Sequence, residues 1–309
     1  MQYRSWLFVP GDSEKKLGRA VSTGADVTVI DLEAGVEPAL KPIARRMAAE
    51  WLAIHRKHIT GGAPMGRWVR INGLESRLWR EDLVAVMKGA PDGIFLPHAH
   101  GPESVQQLAA ELYELEQANH IPTGSTRIIP VVSDNARAAL TVSSYLDASL
   151  PRLAGFAWTA EGLGAAISAT RSRDARGGLT DAFRWVRTQV LLTAHARGLL
   201  AIEAPHTDGA DEKTFRIAVR DARADGFTGM LACHPAQVGA INTAFTPNED
   251  ELAGARAVIA AFEAEKAELG GVDRRGVGQP ELNHARRMLG LADGLGGDTR
   301  PRTPILRSA

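Results

Sequence analysis

The chain has a single cysteine, Cys233. One thiol excludes an internal disulfide and a multi-cysteine zinc site, and it fits a reducing compartment. An excess of charge of one sign is also missing, since 36 Lys and Arg balance 36 Asp and Glu. That balance argues against a general binder of nucleic acid or of anionic membranes. No apolar run reaches the roughly 18–20 residues that span a bilayer. The segment Met1–Pro10 has one arginine and a short apolar stretch, without the h-region and small-residue cleavage site of a secretory signal. A cytoplasmic protein is expected. There is no Walker motif, no HExxH and no GxSxG. The glycines of Ala160–Ala165 miss the dinucleotide spacing. Aromatic residues make up only 6% of the chain. Trp6, Trp68 and Trp158 lie inside apolar runs, which predicts core packing rather than stacking on a ligand.

What is present is an alternation. Eight short runs rich in Val, Ile and Phe recur: Ser5–Pro10, Asp26–Glu33, Arg67–Asn72, Gly93–His98, Arg127–Asp134, Gly155–Glu161, Leu200–Pro205 and Gly229–Pro235. They are continuous rather than alternating in polarity, as strands covered on both faces are. Helical stretches separate them, among them Lys41–His58, Pro102–Ala118 and Asp181–Gly198. In Pro102–Ala118, Val105, Leu108, Leu112 and Leu115 share one face. Eight strand–helix units predict a (β/α)8 TIM barrel, with an open doubly wound sheet as the alternative. A long helix over Pro247–Gly270 follows, capped by Asn248 to Asp250. The predicted organisation is a barrel domain at 1–270 and a C-terminal extension at 271–309, with one short helix (Pro280–Leu291) and a mobile tail.

Barrel chemistry collects at the C-terminal ends of the strands. Those ends carry Asp31 and Glu33, Arg70 and Asn72, His98 and His100, Ser133 and Asp134, Glu161, Glu203 and His206, and His234. Carboxylates, an arginine and imidazoles at one mouth suit an anionic substrate and a divalent metal. Each of them taken alone is as readily a capping or rim residue, and only the combination points to a site. Cys233, inside an apolar run, is expected to be packed rather than reactive.

Several motifs resemble one family. They are RSWLFVPGD at Arg4–Asp12, VIDLEAGVEPALKPIAR at Val29–Arg45, WVRINGLES at Trp68–Ser76 and DGIFLPHA at Asp92–Ala99. GFAWTAEGLGAAISA at Gly155–Ala169 and LACHPAQVGAINTAFTPNEDEL at Leu231–Leu252 complete the set. In order, they are similar to citrate lyase β-subunit-like proteins, the acyl-CoA lyase branch of the HpcH/HpaI aldolase superfamily. The resemblance implies a TIM barrel that assembles as a homotrimer and binds Mg²⁺. It also implies reversible retro-aldol cleavage of a 3-hydroxyacyl thioester, carried by CoA or an acyl-carrier protein, into an acetyl-type thioester and a 2-oxo acid. By the same resemblance Arg70 binds a carboxylate or thioester oxygen, and Glu33 holds a metal-bound water or orients Arg70. Asp134 binds the metal with help from Glu161, and Arg4 and Lys41 meet the phosphates of CoA.

The match has four departures. Ala34 stands where the family has an acid, His98 where it has a lysine, Gly162 where it has a metal-binding aspartate, and Gly278-Gln279-Pro280 where it has a catalytic aspartate before proline. A weakened metal site follows, with His98, and beside it His100 or His206, as candidates for a base near neutral pH or for ligands to a softer ion than Mg²⁺. Two readings stay open: a divergent lyase, and an acyl-CoA-binding or regulatory protein without turnover.

Overall fold

The structure is a computed structural model that describes residues 3–55, 65–207, 212–268 and 278–295. Eight strands form, each inside or within a residue of one predicted run: β1 Ser5–Pro10, β2 Val27–Asp31, β3 Gly66–Arg70, β4 Gly93–Leu96, β5 Arg127–Pro130, β6 Gly155–Ala157, β7 Leu200–Glu203 and β8 Gly229–Ala232. All their pairings are parallel, in the spatial order β5-β4-β3-β2-β1-β8-β7-β6. The two ends of that order meet through bridges at Ile128–Leu153 and Val131–Ala157. The Val132 amide donates to the Ala157 carbonyl at 3.0 Å, and Ala154 to Ile128 at 2.9 Å. The sheet is therefore a nearly closed barrel, and the open-sheet alternative is excluded.

One apolar cluster draws on every strand: Trp6, Val29, Trp68, Phe95 and Ile129 from β1 to β5, and Ala157, Ile202 and Leu231 from β6 to β8. The aromatic members meet edge to face, with Trp6 5.2 Å from Trp68 and 5.6 Å from Phe95. That geometry opposes ring edges to ring faces, the favourable arrangement of aromatic quadrupoles. Trp6, Trp68 and Trp158 are buried, as expected.

The helices are α1 Glu14–Ala20, α2 Lys41–Ile54, α3 Trp79–Val86, α4 Pro102–Ala118, α5 Ala136–Leu140, α6 Ala160–Ala166, α7 Asp181–Ala196, α8 Glu212–Ala224, α9 Pro235–Phe245, α10 Glu249–Glu268 and α11 Gln279–Leu295. Helix α4 has the predicted bounds, begins with proline at its first turn, and buries Val105, Leu108 and Leu112. After α7, Gly198 takes φ +64°, the left-handed stop that glycine adopts without a Cβ penalty. The predicted end of α2 at His58 lies outside the described residues.

By internal contact the chain divides into a unit at 3–242, which holds the barrel, and a unit from Thr243 onward. That division falls earlier than the expected boundary at 270. In the second unit α10 and α11 pack together. The Asn248 side chain accepts from the Glu251 amide at 2.8 Å, and Glu251 returns the bond to the Asn248 amide at 2.8 Å. This is a capping box, with Asn248 as the expected cap and Glu251 as its reciprocal partner. The expected mobile tail lies outside the described residues. No helix among the described residues is long and apolar enough to cross a membrane.

Candidate active site

The mouth of the barrel is built from strand parity. Side chains alternate across a strand, so the residues two and four beyond an inward one also face inward. Val27 and Val29 face the barrel interior, and Asp31 continues that row. Trp68 faces inward and Arg70 follows two residues later. Parallel pairing sets Asp31 beside Arg70 in register. The result is a two-pronged ion pair: Arg70 Nε donates to Asp31 Oδ1 and Nη2 to Oδ2, both at 2.7 Å. Arg70 also lies over the Phe8 ring, 4.9 Å from its centroid.

Asp31 has two further donors, the amides of Glu33 at 2.8 Å and of Gly35 at 2.6 Å. A Cβ at position 35 would stand 2.4 Å from Asp31 Oδ2, so only glycine lets the loop wrap this closely. Lys41 Nζ donates to the carbonyls of Leu32 and Glu33 at 2.8 and 2.6 Å, pinning the same loop. Glu33 is thereby presented to the mouth. Its carboxylate meets Arg70 Nη1 at 3.5 Å on one oxygen and His98 Nε2 at 3.4 Å on the other.

His98 follows β4 with φ +52°. A non-glycine residue in this region carries strain, and such residues concentrate at functional sites. Its amide donates to Asp134 Oδ2 at 3.3 Å, while its half-exposed ring faces Glu33. Asp134 is held by the ends of two strands. Next to it, Asn135 caps α5 by accepting from the Ala138 amide at 2.7 Å. Ser133 accepts from the Thr159 amide at 2.7 Å, and Thr159 caps α6 through the Gly162 amide at 3.1 Å.

Three carboxylates against one guanidinium and one imidazole leave the cluster net negative even with His98 protonated. Burial works against the charge of Glu33, but the His98 hydrogen bond and the Arg70 charge hold its carboxyl below the ordinary range. The Glu33 hydrogen bond pushes His98 up, against partial burial and with help from Asp134. Burial pushes Asp134 up, and the positive charges of His98 and Arg70 offset it only in part. Burial disfavours the Arg70 charge, yet Asp31 more than compensates, so the guanidinium stays charged.

The expected residues fall into two groups. Arg70, Glu33, His98 and Asp134 come together at the ends of β2 to β5. Arg4, Lys41 and Glu161 do not join them as free groups. Arg4 precedes β1, so it stands at the opposite end of the barrel, with its Nε and Nη2 on Asp26 at 2.8 and 2.7 Å. The Lys41 ammonium is committed to loop carbonyls rather than open to a phosphate. Glu161 is exposed at the start of α6, and its charge acts on the Cys233 thiol after β8. Among the described residues no three His, Cys, Asp or Glu side chains are grouped to hold a metal ion.

Gly162 lies against Asp134: a Cβ there would be 2.3 Å from Asp134 Oδ1 and 2.6 Å from Thr159 Oγ1. The Asp134 carboxylate thus fills the space from which a side chain at 162 would start. Its own contacts, 3.3 Å to the His98 amide and 3.4 Å to Thr159 Oγ1, are longer than the ~2.7–2.9 Å of strong charge-assisted bonds. A partly buried, under-compensated carboxylate of this kind offers one protein ligand to a Mg²⁺.

Elsewhere on the mouth, His100 pairs with Glu75 at 3.2 Å, and His234 is exposed, with its Nδ1 accepting from the Ala236 amide. Glu203 is no mouth residue, since it is buried between Trp158 Nε1 at 2.7 Å and Arg187 Nε at 2.6 Å. Cys233 is exposed, contrary to expectation, because β8 ends one residue before it. Partial burial holds its thiol above the ordinary value, so it is not an activated nucleophile. Asp31 is the residue that sequence reasoning assigned no role. It holds Arg70 through two bonds of 2.7 Å beside the 3.5 Å contact of Glu33, and the inward parity of Val27, Val29 and Asp31 was the signal for it.

A parallel barrel whose strand ends converge an arginine, an imidazole and carboxylates is the architecture of a barrel enzyme acting on an anionic substrate. The chain belongs to the HpcH/HpaI aldolase/citrate lyase family, whose model matches residues 4–235. It is 32% identical over 284 residues to a citrate lyase subunit beta-like protein of Mycobacterium tuberculosis, covering 92% of this chain and 93% of the relative. It is 30% identical to mitochondrial citramalyl-CoA lyase of Rattus norvegicus over 94% of this chain and 86% of the relative. The crystal structure of M. tuberculosis CitE in complex with magnesium, acetoacetate and coenzyme A superposes with a TM-score of 0.71 at 32% identity, covering 94% of this chain and 98% of that one.

Proposed function

We propose that the protein is a carbon–carbon lyase that cleaves a 3-hydroxyacyl-CoA thioester of the citramalyl, malyl or citryl type into a 2-oxo acid and an acetyl-type thioester. The observation that carries this reading is the convergence of Arg70, Glu33, His98 and Asp134 on one mouth of a barrel in this family. Retro-aldol cleavage needs a base for the hydroxyl proton and a donor for the oxygen that becomes negative. His98 takes the proton at Nδ1, with Glu33 fixing the ring through Nε2. The alkoxide electrons then form the 2-oxo carbonyl, the adjacent carbon–carbon bond breaks, and the pair moves to the thioester enolate. Asp31 occupies Nε and Nη2 of Arg70, so Nη1, 3.5 Å from Glu33, is the guanidinium donor that meets an oxyanion. Asp134 would hold Mg²⁺, which polarises the oxygens of the 2-oxo acid.

The second reading, acyl-CoA binding without turnover, draws support from one contact. Position 162 is glycine, and the Asp134 carboxylate turns into the space beside it, so no second carboxylate stands there. Titration of Mg²⁺ and Mn²⁺ into stripped protein, with and without acetyl-CoA, separates the two. Metal uptake that strengthens with the thioester and disappears in Asp134→Ala is expected of the lyase. Thioester binding without metal uptake, and without cleavage, supports the binder.

A further inference from the structure

The His98 ring is half-exposed, yet backbone walls one side of it. The wall is Gly73, three residues past β3 on the loop to α3. A Cβ at position 73 would stand 3.1 Å from His98 Cδ2, 3.6 Å from its Cβ and 3.7 Å from its Cγ. Cδ2 is the ring atom across from the Nδ1–Cε1 bond, so Gly73 meets the ring on the side away from Nδ1. Glu33 takes Nε2 at 3.4 Å. Among the described residues Nδ1 has no partner, which leaves it as the ring nitrogen for a substrate proton.

The loop is tied down on both sides of Gly73. Before it, the Asn72 amide and Nδ2 donate to Oδ2 of Asp82 at 2.9 and 2.7 Å, with both residues buried. Arg45 Nε holds the other Asp82 oxygen at 2.9 Å. Asn72 Nδ2 also reaches the Leu32 carbonyl at 3.0 Å, which joins this loop to the one that presents Glu33. After it, the Gly73 carbonyl accepts from the Ser76 amide at 3.0 Å and from Ser76 Oγ at 2.7 Å. Glu75 then meets His100 at 3.2 Å. Satisfied buried polar networks rigidify the backbone they bond. The wall is therefore fixed, whereas the imidazole, with its side chain 44% exposed, has room to swing. Gly73 does not take a positive φ, so the backbone does not demand glycine there, and its lack of a Cβ serves the contact with His98.

We infer that Gly73 is a positioning residue for His98: its bare backbone, fixed through Asn72 and Asp82, seats the imidazole against Glu33 and leaves Nδ1 aimed at the substrate hydroxyl. The inference rests on the lyase reading, with His98 as its base, and adds the residue that aims the base. Proton transfer requires the base within hydrogen-bond reach of the proton, so a ring pushed aside slows the chemical step without weakening the hold on the thioester.

The test is Gly73→Ala, made in the wild-type protein and in His98→Ala. Cleavage of citramalyl-, malyl- and citryl-CoA is measured beside the carbon–proton NMR signals of the His98 ring, assigned by their loss in His98→Ala. In the wild-type background the expected result is a fall in kcat of ~10-fold with displaced ring signals. KM and acetyl-CoA affinity stay within about twofold, and thermal stability is not lowered, since alanine at a compatible φ restricts the unfolded chain. In the His98→Ala background the same substitution changes the residual kcat by less than about twofold, because no ring is left to push. Unchanged ring signals and kcat in Gly73→Ala, with His98→Ala strongly impaired, overturn the role of Gly73 and leave the lyase reading intact. An equal fall in both backgrounds is a structural effect of the loop and overturns it as well. A kcat kept in His98→Ala overturns His98 as the base and Gly73 with it. A wild-type protein that cleaves none of the three thioesters overturns the lyase reading and the inference together.

Discussion

The two ends of the barrel treat charge differently. At the N-terminal end two arginines are matched closely. Arg152 meets Glu116 through two bonds of 2.7 Å, with both residues buried, and Arg4 meets Asp26 at 2.7 and 2.8 Å. At the C-terminal end one arginine serves three carboxylates, and apart from Asp31 the contacts stretch to 3.3–3.5 Å. The closed end has spent its charges on one another, which stabilises the fold. The open end holds charges only partly compensated, and such a mouth is ready to receive a cation, a proton or an anionic substrate.

The largest expected effect lies at the closed end. Arg152→Ala strands the Glu116 carboxylate in the interior and should cost ~3–5 kcal/mol of stability. Chemical denaturation measures this, while activity below the transition stays near wild type. A loss under ~1 kcal/mol would erase the contrast between the ends. At the open end the signs reverse. Arg70→Ala should lower kcat/KM by ~10²–10³-fold, the usual effect of removing one oxyanion donor, with a much smaller loss of stability. A variant that unfolds yet keeps its specific activity contradicts the assignment. His98→Gln keeps a hydrogen-bonding side chain at the same backbone position and removes the base. A fall in kcat of ~10²-fold is expected, with CoA affinity unchanged in titration. The smallest effect is a pH signature. Burial opposes the Glu116 charge, but the Arg152 hydrogen bond outweighs it, so the carboxyl lies below its ordinary range. A depressed carboxyl contributes stability that is present above the unfolded value, ~4.3, and lost as pH falls through the folded one. Glu116→Gln should therefore lower stability across the neutral-to-alkaline range and converge with wild type at acid pH, which flattens the acid limb of the stability profile.

The same contrast explains what the sequence made legible. Continuous apolar runs reveal the strands because burial on both faces demands it, and all eight appear where the runs lie. The C-terminal ends of those runs then nominate Arg70, Glu33, His98 and Asp134. Arg4 was misplaced because the CoA role came from the resemblance, although strand direction puts a residue before β1 at the far end. Asp31 was passed over because its role depends on register with a strand 39 positions later. Lys41 and Glu161 show the limit of residue type: a cation or an acid near the mouth acts only where its loop points it. The contact between Gly162 and Asp134 follows from the packing of α6 on the end of β5, which no local pattern reports.

The most direct test is cleavage itself. Purified protein with Mg²⁺ is incubated with citramalyl-CoA, malyl-CoA and citryl-CoA, and release of the 2-oxo acid is followed. Turnover of at least one thioester, lost in Arg70→Ala while acetyl-CoA still binds, is the predicted result. Tight binding of acetyl-CoA with no 2-oxo acid released from any of the three would contradict the assignment of the open end as a catalytic mouth.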